Sequence, residues 1–213
     1  MINVFFGEHS SLFVQMLLFF EFFICISIGY ACGSIPFGVI YSKLFKLKDP
    51  RKTGSKNIGA TNVLRSGHKL AAFLTLVSDA LKGLLPIYFV SLIYTPSLLT
   101  YEVDILLGAC LGHMFPYTLK FKGGKAVATF LGGSLLIPFI GIKSCLIWLI
   151  SAFVTRYSSL SSIIACTTSV AFLASYTYYP EILIICGLII FKHKENIKRL
   201  IEKTEPKIGH KAK

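Results

Sequence analysis

The chain is short of acid. Its 213 residues hold 10 Asp and Glu against 22 Lys and Arg, a formal net charge of +12. Charge of either sign is also scarce, at 15% of residues, where a soluble domain carries about 25%. That scarcity argues against an ordinary solvated globular surface. None of the six cysteines forms a C-x-x-C pair, and Cys25, Cys32, Cys110, Cys145, Cys166 and Cys186 lie mostly inside apolar runs. They read as small buried hydrophobes, so neither a disulfide framework nor a metal site is expected. No G-x-x-x-x-G-K-[ST] pattern occurs, which removes the Walker-type nucleotide loop. No basic residue precedes the first apolar window, Leu12 to Tyr41, and the window exceeds the apolar region of a cleavable signal. It reads as a retained span.

Long apolar runs are what the sequence has instead. Hydrophobic residues make up 54% of the chain and its mean hydropathy is +0.68. Apolar windows approach the roughly 20 residues needed to cross a bilayer, separated by short basic stretches. The expected fold is all-α: a polytopic membrane protein of about seven helices, near 12–42, 69–94, 101–118, 126–140, 143–156, 160–178 and 180–192. The division between the fourth and fifth, around Gly141, is the weakest. Residues 1–213 are expected to form one membrane-embedded domain, with 193–213 a basic cytoplasmic tail whose end is disordered. Alternation then places 20 of the 22 Lys and Arg on one side. The positive-inside rule makes that side cytoplasmic, with the C-terminus inside and the N-terminus outside. In a soluble protein such basicity would suggest nucleic acid. Here orientation explains it, and no nucleic-acid partner is expected. Lys82 lies within the second span, three residues after Asp79, where the two can pair across a helical turn.

Four polar clusters fall at the expected cytoplasmic face. In "RKTGSKNIGATNVLR" (51–65), glycines 54 and 59 allow turn backbones, and successive amides in such turns can form an anion nest. Ser55, Asn57, Thr61 and Asn62 add short polar side chains, and Arg65 adds a fork suited to phosphate oxygens. An orientation-charged connector explains this loop equally well when it is taken alone. In "KGGKAVAT" (122–129), a Gly-Gly turn flanked by Lys122 and Lys125 opens a helix. His113, upstream, reads as structural. "RYSSLSSI" (156–163) supplies serines that are N-cap candidates, with Ser162 able to point into a pocket. In "HKENIKRL" (193–200), His193 and Asn196 share a helical face. Together the clusters describe a membrane protein that handles phosphates at one interface, beside helices able to admit an acyl chain. A transporter for an organic phosphate and a non-catalytic lipid-binding subunit are the rival classes. The gathering of the clusters on one side, not at the midplane, weighs against transport.

The ordered motifs "GSIPFG" (33–38), "GSKNIGATNVLR" (54–65), "SDALKG" (78–83), "GHMFP" (112–116), "KGGKAVAT" (122–129), "SLSSI" (159–163) and "HKENIKRL" (193–200) resemble the bacterial acyl-phosphate:glycerol-3-phosphate acyltransferase family. The resemblance implies a seven-span inner-membrane enzyme with its active site facing the cytoplasm. It would transfer a fatty acyl group from acyl phosphate to the 1-hydroxyl of glycerol 3-phosphate, the first committed acylation of phospholipid synthesis. The products would be lysophosphatidic acid and phosphate, with no cofactor, and with membrane lipid as the surroundings. The family lacks the H-x-x-x-x-D acyltransferase motif, and this chain has none. By motif position, Ser55, Arg65, Lys125, Ser162, His193 and Asn196 become the catalytic set. Asn57, Ile58, Gly59, Ala60, Thr61, Asn62, Lys122, Gly123 and Gly124 become substrate-binding. Because an acyl phosphate is already activated, direct attack by the glycerol hydroxyl is expected, with Ser55 orienting substrate. Two positions depart from the family pattern, which has glycine at both. Lys56 is expected to fit with a negative φ, and Ala126 to be mild at a helix start.

Overall fold

A computed structural model describes residues 12–93, 101–137, 140–173 and 180–209. Parts of the expected spans (94, 138–139 and 174–178) lie outside the described residues. Among the described residues every regular element is helical. They are α1 (Leu12–Gly33), α2 (Phe37–Leu44), α3 (Ala60–Leu64), α4 (Lys69–Ile93), α5 (Tyr101–Met114), α6 (Val127–Ser134), α7 (Gly141–Thr155), α8 (Ser158–Leu173), α9 (Pro180–Lys192) and α10 (Lys194–Ile201). A 3₁₀ turn at Tyr117–Leu119 follows α5.

Among the described residues two stretches are long and apolar enough to cross a bilayer, Leu12–Leu44 and Lys69–Ile93. The first is not one continuous helix. Pro36 has no amide hydrogen to donate and restricts Ile35, so α1 ends at Gly33 and α2 restarts at Phe37. The freed carbonyls find side-chain donors: Lys82 Nζ reaches Ile35 O at 2.9 Å and Thr118 Oγ1 reaches Ser34 O at 2.8 Å. The expected span 126–140 likewise shortens. Helix α6 has 8 residues, about 12 Å of rise, and α7 begins only at Gly141. A Cβ on Gly141 would lie 2.2 Å from Ser134 O, so glycine is what allows the chain to turn back there.

Helix α5 is the centre of the bundle, buried on nearly every side, with Ile105, Leu106, Ala109 and Cys110 essentially inaccessible. Glycines let α1 approach it backbone to backbone. A Cβ on Gly29 would lie 2.0 Å from Ile105 O, and one on Gly108 would lie 2.2 Å from Ile26 O. Helices α4 and α6 meet in the same way, Gly83 against Thr129 O and Gly132 against Ala80 O. Such small-residue contacts replace the hydrophobic effect where lipid tails are as apolar as the side chains.

The anticipated Asp79–Lys82 pair forms at 2.7 Å with both side chains only 3% exposed. His113 Nδ1 lies 3.6 Å from the same carboxylate oxygen. The pair therefore fastens α4 to the α1–α2 break. Removing one partner of a buried pair strands the other charge and costs about 3–5 kcal/mol, whereas replacing both by apolar groups is often near neutral. Lys82→Met should accordingly lower thermal stability in detergent sharply, and Asp79→Leu combined with Lys82→Met should recover much of the loss. Thermal unfolding of the two variants checks this.

Candidate active site

A cavity of about 660 Å³ opens beside α4, α6 and α7 and ends among polar residues of the 55–65 loop, the α8 start and the α9–α10 junction. Its floor exists because Asn62 folds the loop. The Asn62 amide donates to Pro50 O (2.8 Å), Thr53 O (3.1 Å) and Asn57 O (2.8 Å), while its Oδ1 accepts from Ser55 N (2.9 Å). Gly54 makes room for it: its φ is +56°, and a Cβ there would lie 2.3 Å from Asn62 Oδ1. Gly59 needs no such freedom, since its φ is −75°. It lines the cavity, and a Cβ added to it would find only Asn57 Nδ2, at 3.8 Å. None of the amides of residues 57–61 donates to a backbone carbonyl among the described residues.

Opposite this floor, a chain of hydrogen bonds holds the cationic groups. Lys125 Nζ donates to Asn196 Oδ1. Asn196 Nδ2 donates to Glu205 Oε1 at 2.6 Å, and Ser159 Oγ donates to the same oxygen at 2.8 Å. Arg199 Nε completes the carboxylate through Oε2 at 2.7 Å. A lysine only donates and a carboxylate only accepts, so this network dictates which way the Asn196 amide points. Burial alone would raise the Glu205 carboxyl, but hydrogen bonds from Asn196, Ser159 and Arg199 outweigh it and hold the group below the usual carboxylate range. Burial pushes Lys125 down to about 8, with Arg199 and Arg65 adding to the effect and Glu205 opposing it.

Two further groups face the cavity with capacity to spare. His193 is buried, and its Nδ1 bonds Ile189 O at 2.7 Å. A carbonyl can only accept, so Nδ1 carries the proton and Nε2 keeps its lone pair. Burial, with Lys125 nearby, pushes this imidazole down to about 4, so it is neutral at pH 7. Arg65 is half-buried and lines the cavity, yet its guanidinium makes no hydrogen bond or ion pair among the described residues. Burial lowers its pKa, but it remains a cation. Ser162 Oγ donates to Ser158 O (2.7 Å) and accepts from Trp148 Nε1 (3.2 Å), so toward a ligand it can only accept.

The structure brings Ser55, Arg65, Lys125, Ser162, His193 and Asn196 to one cavity, with Asn57, Gly59, Ala60, Thr61 and Asn62 on its wall. It does not bring all the predicted residues there. Ile58 is packed inside the protein, its carbonyl against Gly38. The Asn62 side chain has its polar atoms committed to the loop. Lys122 is exposed and outside the cavity. Gly123 and Gly124 are also outside it; their amides donate to Met114 O and His113 O, and a Cβ on Gly124 would lie 2.1 Å from His113 Nε2. The Gly-Gly pair therefore lets the chain pack on His113. Glu205, one acid in the stretch expected to be a basic tail, is a site residue that no sequence motif marks. That stretch instead forms α10 and returns to the site, with Ile208 N on Arg156 O at 2.7 Å.

The two departures from the family pattern are also corrected. Lys56 has φ +56° and Ala126 φ +60°, so both occupy the left-handed region that glycine tolerates best. That conformation costs an L-residue about 1–2 kcal/mol. Lys56 is exposed and outside the cavity, which isolates the backbone effect. Lys56→Gly should stabilise the protein by up to about 1 kcal/mol after the entropy of the unfolded glycine is subtracted. Lys56→Val should destabilise it, because a β-branched residue resists this φ. Melting temperatures of the two variants should shift in opposite directions.

Residues 23–203 match the family described as glycerol-3-phosphate acyltransferase. A glycerol-3-phosphate acyltransferase from Jannaschia sp. (strain CCS1) is 47% identical over 190 residues, covering 85% of this chain and 90% of the relative. The enzyme of that name from Bordetella avium (strain 197N) is 42% identical over 221 residues, covering 96% and 97%. Among solved structures, the glycerol 3-phosphate form of PlsY, an integral membrane glycerol 3-phosphate acyltransferase, superposes with a TM-score of 0.77. It shares 35% identity and covers 88% of this chain and 96% of that one. Its lysophosphatidic acid form gives a TM-score of 0.74 at 34% identity, covering 89% and 96%. The chain belongs to the glycerol-3-phosphate acyltransferase family.

Proposed function

We propose that this protein transfers a fatty acyl group from acyl phosphate to the 1-hydroxyl of glycerol 3-phosphate, releasing lysophosphatidic acid and inorganic phosphate. The observation that carries the reading is the cavity's charge. Among the described residues the carboxylates that line it, Asp79 and Glu205, are bound by Lys82 and Arg199, while the Arg65 guanidinium makes no hydrogen bond or ion pair and feels Glu205 only at longer range. A partly buried, unpaired guanidinium is a receptor for a phosphate. The apolar walls beside it suit an acyl chain, and the ligands named for the solved PlsY forms support the acceptor and the lipid product.

In the proposed reaction the glycerol hydroxyl oxygen attacks the acyl carbonyl carbon. The carbon–oxygen bond to phosphate breaks, and the departing phosphate keeps the electron pair and takes up the hydroxyl proton. No acyl-enzyme is needed, since the donor is already activated. Arg65 and Lys125 hold the phosphate of glycerol 3-phosphate, and the amides of the 57–61 turn, which donate to no backbone carbonyl among the described residues, stabilise charge on the leaving phosphate. His193 Nε2 accepts from the attacking hydroxyl; with its pKa near 4 it is too weak a base to remove that proton early. Ser55 Oγ, which makes no bond to protein among the described residues, orients the acceptor. The chain would do this as a seven-span protein of the bacterial inner membrane, N-terminus outside, C-terminus and cavity mouth facing the cytoplasm. The basic loops support that orientation.

Purified protein given acyl phosphate and glycerol 3-phosphate should release phosphate and lysophosphatidic acid, and absence of product rejects the reading. Ser55→Ala with full turnover would remove Ser55 from the mechanism, and a trapped acyl-Ser55 would exclude direct transfer. The Lys125 ammonium adds a pH signature. It binds phosphate only when charged, and it loses its proton as pH rises through about 8 in the free enzyme. The profile of kcat/KM, which reports free-enzyme groups, should fall above that pH. Lys125→Arg should move the falling limb to higher pH, and a limb that stays in place would assign it to another group.

A further inference from the structure

We propose that Lys69 holds the phosphate head of the acyl donor, setting its amphiphilic specificity; this rests on the donor assignment above. Lys69 opens α4, lines the cavity and stands outside every motif that marks the site in the sequence. It makes no hydrogen bond or ion pair among the described residues. Below it on the same helix, Phe73, Leu76 and Ala80 also line the cavity. Their offsets from Lys69 of four, seven and eleven residues put all four on one helical face. That face runs about 16 Å from Lys69 to Ala80 at the α-helical rise. A cation at the head of an apolar strip of that length is complementary to a ligand with a dianionic head and a hydrocarbon tail. Glycerol 3-phosphate has the head but no tail.

Helix geometry sharpens the placement. Cα–Cβ bonds lean toward a helix N-terminus, so the Lys69 side chain leans toward the Arg65 end of the cavity and away from the strip. Its methylenes can lie on apolar surface while the ammonium meets water and phosphate. Lys52 provides the contrast: it is an exposed cation of the same basic loop region but does not line the cavity. Membrane orientation explains Lys52 fully, yet leaves unexplained why Lys69 heads an apolar strip inside the cavity.

The test compares Lys69→Gln, Lys69→Arg and Lys52→Gln in the full-length protein. Two readouts are needed: steady-state kinetics, and equilibrium binding of a non-reactive alkyl phosphate, with inorganic phosphate as the tailless probe. Lys69→Gln should raise KM for acyl phosphate about fivefold, as expected for a charge-assisted contact open to solvent. It should leave KM for glycerol 3-phosphate and kcat within twofold. It should also weaken the alkyl phosphate more than inorganic phosphate. Lys69→Arg should recover most of the loss, and Lys52→Gln should change nothing. Equal effects from Lys52→Gln and Lys69→Gln would reduce the role to surface potential and overturn the proposal. Unchanged alkyl phosphate binding in Lys69→Gln would also overturn it. Should acyl phosphate not be the donor, the wild type fails to turn over, while the alkyl phosphate arm still reports on Lys69.

Discussion

A cation held partly out of water and, among the described residues, in contact with no carboxylate is the constraint from which the site follows. The Arg65 guanidinium lines the cavity without a hydrogen bond or ion pair among the described residues. The protein does have carboxylates nearby, but they are already bound. Glu205 accepts from Ser159, Asn196 and Arg199, and Asp79 is held by Lys82 beside His113. Lys125 bonds a neutral amide, so its charge is oriented but not cancelled. The cavity therefore carries fixed positive charge, and phosphate is the anion of the reaction that can balance it.

The fold exists to hold that charge beside lipid. Glycine contacts bring α1 onto α5 and α4 onto α6 until backbones touch, which leaves the larger side chains of α4, α6 and α7 to line an apolar chamber. The helix break at Pro36 frees carbonyls, and Lys82 and Thr118 take them up. Asn62 uses its side-chain polar atoms to shape the loop, in which the amides of residues 57–61 donate to no backbone carbonyl among the described residues. Rigidity in one part of each element thus produces free hydrogen-bonding capacity in another, as catalysis by positioning requires.

The clustering of polar, glycine-punctuated stretches at one face was legible because they interrupt so apolar a chain. The particular set Ser55, Arg65, Lys125, Ser162, His193 and Asn196 was implied by the motif resemblance, and those residues meet at one cavity. What was not legible depends on partners distant in sequence. Gly124 reads as a phosphate-loop glycine until His113 is found where its Cβ would be. Glu205 is one acid among lysines, and nothing local marks it as the acceptor for Asn196 and Ser159. A non-glycine residue gives no sign of a left-handed backbone, so Lys56 and Ala126 reveal their strain only in three dimensions. Hydropathy found the apolar runs but could not see that α6 has only 8 residues.

The claim that the cavity is a phosphate receptor built on an unpaired guanidinium can be measured without any chemistry. Equilibrium binding of glycerol 3-phosphate to the purified protein, with no acyl donor present, should be saturable. Arg65→Gln should weaken it at least tenfold while leaving the melting temperature nearly unchanged, because a charge-assisted bond is worth about 1.5–3 kcal/mol and the Arg65 guanidinium makes no hydrogen bond or ion pair among the described residues. Equal affinity in the two proteins would contradict it.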